Sequence, residues 1–300
     1  MAVNYLHINN KELYVETHGK ITGKAILYLH GGPGEGCFDF SMNQTHRLNN
    51  FFRLVVIDQR GVCRSEEIFK EESFGINHLI EDCEELRVQL GISKWSIIGH
   101  SFGGYLAVLY ANRYPYAIEK LIFECPTFDF ELTAKSLLKK TASLFARYNM
   151  MPLQKKVNRL IAKAVSPKEL VEGYLQLSSY LQEKRMEIYS LHSINLETSI
   201  YTDEQWDRFY DKSEIHFARL RNEGKIFESV LPLLKKIQVP SLLIVGEYDP
   251  VTCEKQIDFF DKNVRQGEIQ IIEQCGHTPH NESPEWFSKM VTEFLLRKNH

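Results

Sequence analysis

The chain has 300 residues, of which 43% are hydrophobic and 25% charged. That balance excludes a disordered chain and leaves room for one large domain, or for a core carrying a smaller insertion. A formal net charge of -3, with lysines and arginines dispersed along the sequence, gives no electrostatic footprint for nucleic acid.

The start, "MAVNYLHINNKELYV", has no basic region followed by an apolar run, and no apolar stretch reaches the length of a membrane span. The six cysteines (Cys37, Cys63, Cys83, Cys125, Cys253 and Cys275) show no CxxC pairing. The sequence therefore points to a cytoplasmic protein with reduced thiols, no membrane association and no metal or disulfide framework.

In chain order, "LHIN" and "ELYVETHG" read as an opening hairpin. "AILYLHGG", "RLVVIDQRG", "WSIIGHS", "KLIFECP", "SLLIVGEYD" and "EIQIIEQ" follow as short, nearly continuous apolar runs, the composition of parallel strands buried on both faces. Amphipathic stretches lie between them. Leu79, Cys83, Leu86 and Leu90 recur at helical spacing, Leu106, Leu109 and Tyr110 mark a second helix, and "SPEWFSKMVTEFLLRK" closes the chain as a third. The alternation stops from 126 to 234, where the sequence is rich in Lys, Glu, Leu and Tyr and helical in spacing. It resumes at "VPSLLIVGEYD". The expectation is an α/β core, residues 1–125 and 235–300, with a helical cap, 126–234, inserted between two strands of one sheet.

The chemistry centres on Gly99-His100-Ser101-Phe102-Gly103, a G-x-S-x-G string in which a strand turns sharply into a helix and lifts a serine hydroxyl above the sheet. A serine needs a base to take its proton and an acid to orient that base. Asp249 follows "SLLIVGEY" and His277 follows the last strand run, so the order Ser, Asp, His is met, each at the end of its own strand. Glu247 is an alternative acid and His280 an alternative base. The oxyanion of the tetrahedral intermediate needs N–H donors. Phe102, directly after the serine, supplies one; in the loop "LHGGPGEG" the other is Gly32, since Pro33 has no N–H. That loop has no GK[ST] or GxGxxG pattern to mark a phosphate site. Phe38, Phe40, Phe102 and Trp206 are candidates for an apolar pocket wall, and Cys37 and Cys125 are small buried groups that could approach the site.

Together, "HGGPG" (30–34), "DQRGVCRS" (58–65), "GHSFGG" (99–104), "GEYD" (246–249) and "GHTPHNESP" (276–284) resemble the α/β-hydrolase superfamily, and within it the proline iminopeptidase-like serine hydrolases. The resemblance implies an eight-stranded, mostly parallel sheet, a helical lid, a Ser101–Asp249–His277 triad and no cofactor. Three positions depart from the family's pattern. Pro250 stands where a glutamate often follows the triad Asp, Ala218 stands at a cap glutamate, with Glu214 and Glu223 nearby, and Cys63 replaces a glycine. The expected activity is hydrolysis through an acyl-enzyme, releasing an N-terminal residue from a short peptide or small arylamide, with a small-ester carboxylesterase as the alternative. A non-catalytic small-molecule binder on the same fold would have no need of all three triad roles.

Overall fold

The computed structural model describes residues 2–191 and 201–298. Eight strands form one sheet: β1 Ala2–Ile8, β2 Lys11–His18, β3 Lys24–Leu29, β4 Phe52–Ile57, β5 Trp95–His100, β6 Ile118–Glu124, β7 Ser241–Gly246 and β8 Gly267–Ile272. Their order is β1-β2-β4-β3-β5-β6-β7-β8. The first two strands pair antiparallel with each other and β2 with β4; every other pairing is parallel. Asn9 and Asn10 make the hairpin turn with φ of +46° and +63°. Asparagine tolerates this left-handed region better than most residues, and such a turn matches the twist of the strands it joins.

The helices on the sheet are α1 Phe38–Leu48, α2 Ile76–Gln89, α3 Phe102–Arg113, α9 Glu254–Asn263 and α11 Pro284–Leu296, with the short α10 Pro279–Glu282 before the last. Side chains alternate across each strand, so one strand feeds two cores. Leu27, Val55, Ile97, Leu121, Phe123 and Leu243 join the layer containing α2 and α3. Their neighbours Ile26, Tyr28, Leu54, Val56, Ile98, Ile122, Leu242 and Ile244 pack with Phe40 of α1 and Phe287 and Phe294 of α11. Burial on both faces is why the central strands read as unbroken apolar runs. β8 is an edge strand, and its Ile271 is 57% exposed.

The chain leaves the sheet at Glu124 and returns at Ser241 directly beside it, with Leu121 opposite Ser241. Between these strands the described residues form only helices and turns: α4 Phe130–Arg147, α5 Met151–Ala162, α6 Pro167–Ser178, α7 Asp203–Glu223 and the short α8 Leu231–Leu234, with 3-10 turns. Local chemistry fixes their ends. Ser166 and Glu169 close a reciprocal cap on α6, Thr202 and Gln205 do the same on α7, and Gly224 ends α7 at φ +89°.

α7 lies across the loops at the carboxyl ends of β3 and β4. Ser213 Oγ donates to the Gly34 carbonyl at 2.5 Å, Lys212 Nζ donates to the carbonyls of Cys63 and Ser65 at 3.0 and 2.8 Å, and His216 Nδ1 meets the Arg60 carbonyl at 2.8 Å. Those bonds seat the inserted helices over the sheet edge where the motif residues gather.

Candidate active site

The turn between β5 and α3 puts Ser101 at φ +51°, ψ -116°. A non-glycine residue there carries strain, about 1 to 3 kcal/mol, which the surrounding structure must over-determine. It does so with three backbone bonds: Ser101 N donates to the Glu124 carbonyl at 2.9 Å, and the Ser101 carbonyl accepts from Gly104 and Thr127 at 3.0 and 3.1 Å. The turn also closes so tightly that a Cβ on Gly103 would fall on the Leu29 carbonyl. Glycine is required there by space.

Asp249 lies just past β7. Its side chain is wholly buried, and its oxygens accept from the N–H groups of Val251 and Thr252, both at 2.9 Å. The same Oδ1 is 2.8 Å from His277 Nδ1. Because Asp249 accepts at Nδ1, that nitrogen carries the proton and Nε2 is left free to act as a base. His277 is itself pinned at both ends of its backbone. Its N–H donates to the Tyr189 carbonyl at 2.8 Å, and its carbonyl accepts from His100 Nε2 at 3.1 Å. Burial opposes charge on His277, but the adjacent Asp249 charge and hydrogen bond outweigh it and raise its pKa above the ordinary histidine value. The ring lies 4.8 Å, centroid to centroid, from that of His100, the residue directly before Ser101.

Cys125 packs against this pair. Its sulfur accepts from Gly246 N at 3.4 Å, and burial pushes its thiol well up. Cys125, Asp249 and His277 bring ligand-type atoms within 4.8 Å of one another. A thiol held protonated makes a poor third ligand, and the Asp–His bond already occupies Nδ1. The grouping fits an acid–base pair with a small neutral neighbour.

The loop after β3 is built by the segment after β4. His30 Nε2 accepts from the Gln59 N–H at 3.0 Å, so its proton sits on Nδ1, which reaches the Gly31 carbonyl at 3.0 Å. Gln59 Nε2 returns a bond to the His30 carbonyl at 3.1 Å. Burial lowers the His30 pKa and keeps the ring neutral, as this bonding requires. Asp58, wholly buried, accepts from Cys37 N at 2.8 Å and from Arg64 Nε at 2.6 Å. HGGPG and DQRG are thus two halves of one braced loop. Cys63 stands at φ +42°, a conformation a glycine would adopt without strain.

Gly32 is exposed at φ +104°, and Phe102 opens α3. A first-turn N–H has no partner within its own helix, and the helix N-terminus favours negative charge. The Phe102 ring, by contrast, is fully buried near Tyr105 and Phe130, and Phe40 is stacked on Tyr28 at 3.7 Å. Both rings are core, which corrects the expectation that they wall a pocket. Phe38 and Trp206 come together edge-on, 6.1 Å apart, each also facing Tyr201. Glu214 is exposed on α7. Glu223, expected near a substrate amine, instead accepts from Ile76 N at 3.2 Å and lies 3.5 Å from Lys225, capping the start of α2.

The alternatives to the pair resolve in the same way. Glu247 is exposed beyond the end of β7 and accepts from Gln274 N at 2.9 Å. His280 is fully buried with both ring nitrogens engaged, Nδ1 with Glu124 and Nε2 with Asp39, each at 2.9 Å. Burial disfavours its charge, yet the two carboxylates hold its pKa well above the ordinary value. Asp39, which burial alone would raise, is drawn down to about 2 by the same pairing.

His280→Gln should therefore cost about 3 kcal/mol or more, since it strands two carboxylates at a buried site. The sign of its pH dependence follows from the two shifts. A raised histidine pKa gives stability that is complete below the ordinary value near ~6.5 and is lost as pH rises through the folded-state value. The lowered Asp39 pKa gives stability present above its ordinary 3.8 and lost as pH falls through about 2. Urea denaturation at neutral pH measures the loss, and an unchanged midpoint would mean that the pairing contributes nothing.

Sequence reasoning missed Glu35. This carboxylate lies between two glycines of the loop after β3, and its pKa is raised to about 7, chiefly by burial. The available signal was its position, a charged residue in a glycine-rich loop that the fold must place at the carboxyl edge of the sheet.

Residues 24–284 match the family described as alpha/beta hydrolase fold. The chain belongs to this family. The hydrolase is 35% identical over 297 residues to a proline iminopeptidase of Neisseria meningitidis serogroup B, covering 91% of this chain and 89% of that one. It is 27% identical over 292 residues to a proline iminopeptidase of Saccharolobus solfataricus, covering 92% and 86%. Among solved structures it is similar to a proline iminopeptidase-related protein from Thermus thermophilus, with a TM-score of 0.72 at 24% identity over 98% of this chain and 96% of that one. It is a proline iminopeptidase-like hydrolase.

Proposed function

We propose that this hydrolase works through an acyl-enzyme formed on Ser101 and releases the N-terminal residue of a short peptide or arylamide. The observation that carries the reading is the 2.8 Å bond between Asp249 and His277 Nδ1, on the same sheet edge as a serine held in a strained turn. In the first half-reaction Ser101 Oγ attacks the carbonyl carbon while His277 Nε2 takes the hydroxyl proton. Asp249 stabilises the imidazolium, and the N–H groups of Gly32 and Phe102 receive the oxyanion. The C–N bond then breaks as His277 returns the proton to the leaving amine. In the second half-reaction a water gives its proton to His277 and attacks the ester, and the C–O bond to Ser101 Oγ breaks as His277 returns that proton to the serine oxygen.

Residues 126–234 act as the cap, with α7 over the mouth and Phe38 and Trp206 forming part of its aromatic wall. No helix among the described residues is long and apolar enough to cross a membrane. The six cysteines are free thiols, which supports work in a reducing cytoplasm.

The test compares kcat/KM for proline p-nitroanilide and p-nitrophenyl acetate. The reading predicts efficient cleavage of the arylamide. Cleavage of the ester alone would make the protein a carboxylesterase on the same scaffold.

A further inference from the structure

We infer that Glu35 selects substrates carrying a protonated amine beside the scissile carbonyl. The inference rests on the serine hydrolase reading above and deepens it.

Glu35 follows the cis Gly32–Pro33 bond, and its backbone folds back so that its N–H donates to the Gly31 carbonyl at 3.3 Å. This return brings the side chain to the nucleophile. A Cβ built on Gly31 would lie 2.6 Å from Glu35 Oε2, 2.8 Å from His100 Nδ1 and 2.9 Å from Ser101 Cβ. The carboxylate and the nucleophile therefore flank the same bare face of Gly31, and any side chain at Gly31 would fill the gap between them. The Glu35 side chain remains 52% exposed although protein surrounds it, the condition of a group lining a recess.

Among the described residues its ion-pair partner is His100 Nδ1, at 3.8 Å. Burial, with the neighbouring His277 and His280, pushes the His100 pKa well down, so that ring supplies no positive charge. The other titratable groups acting on Glu35 are Asp39, Glu124, His277 and His280. Of these, His280 is already shared between Asp39 and Glu124. Tyr189, whose carbonyl holds His277, is kept as a neutral phenol by its own burial. Glu35 thus faces the reaction centre without a full counter-charge, and a cation placed beside it would hold it as the carboxylate.

Two consequences follow from Coulomb's law at short range in a recess. A negative charge next to a developing oxyanion opposes attack on a neutral ester. A substrate with an ammonium one carbon from the carbonyl removes that penalty and adds an attraction, because its nitrogen must lie beside the carbon that Ser101 attacks. The acids near Ala218 on α7 are placed otherwise: Glu223 is tied to the start of α2, and Glu214 is exposed.

The experiment measures Glu35→Gln and Glu35→Asp against proline p-nitroanilide and p-nitrophenyl acetate, with Ser101→Ala alongside and thermal melting to confirm folding. For Glu35→Gln the arylamide kcat/KM should fall on the order of 100-fold, mostly in KM, while ester turnover rises. The acid limb of ester hydrolysis should also move to lower pH, because His277 loses a negative neighbour that raises its pKa. Glu35→Asp should retain part of the arylamide preference. A parallel fall on both substrates, or no change on either, overturns the inference. If Ser101→Ala is inactive while Glu35→Gln is unchanged, the serine mechanism stands without this selectivity. Turnover persisting in Ser101→Ala removes the reading on which it rests.

Discussion

Ser101→Ala should lower kcat on proline p-nitroanilide by on the order of a millionfold, with little change in melting temperature. Without the hydroxyl there is no nucleophile for His277 to activate, and the remaining oxyanion donors and substrate contacts retain only a small residue of catalysis. The fold has little reason to notice. The turn at Ser101 is held by backbone bonds to Glu124, Gly104 and Thr127, none of which involves Oγ. Alanine keeps the Cβ, so the strain at φ +51° is neither relieved nor increased. A variant that loses activity through unfolding would show the opposite pattern, a collapsed melting transition.

Asp249→Asn should lower kcat by on the order of 10,000-fold. The asparagine must still satisfy the N–H groups of Val251 and Thr252, which in the wild type donate to the two separate oxygens of Asp249. An amide has one oxygen and one NH2 group, so one orientation strands the Thr252 N–H, and the other strands the Val251 N–H and turns the NH2 toward His277. In the second case His277 Nδ1 must accept, the proton moves to Nε2, and the base is lost to Ser101. The variant has a second signature in pH. His277 is raised above its ordinary pKa against the effect of burial, with Asp249 as the largest raising influence. The wild type should therefore lose activity on acidification at a pH above the ordinary histidine range near ~6.5. With the charge removed, burial dominates and the acid limb of the residual activity moves down. Steady-state kinetics across pH checks both; a limb that stays in place would mean that Asp249 does not govern His277.

Much of this architecture is legible in the sequence because the physics is local. β3 to β7 are apolar on both faces, so their runs stand out from the amphipathic helices between them, and the interruption after Glu124 shows directly in composition. The order Ser101, Asp249, His277 is readable because each residue comes within a few positions after a strand run. What the sequence hides depends on which side chains meet across the fold. His280 is a second histidine in the same loop as His277, and only the packing of Glu124 and Asp39 around it makes it an ion-pair partner instead of a base. Glu223 lies within the 126–234 segment, close along the chain to Ala218, yet a helix end from the core claims it. Phe40 and Phe102 read like pocket aromatics until Tyr28 and Phe130 are found against them. Glu35 escaped notice because glycine loops are read for backbone freedom, whereas its importance comes from a fold-back that sets its carboxylate beside Ser101.

The central claim, a covalent intermediate on Ser101, is tested most directly by titrating the enzyme with a fluorophosphonate that mimics the tetrahedral intermediate and mapping the adduct by mass spectrometry. The account predicts one equivalent bound on Ser101, activity lost in proportion to labelling, and no adduct on Ser101→Ala. Full labelling on another residue, or a fully labelled Ser101 with turnover intact, would contradict it.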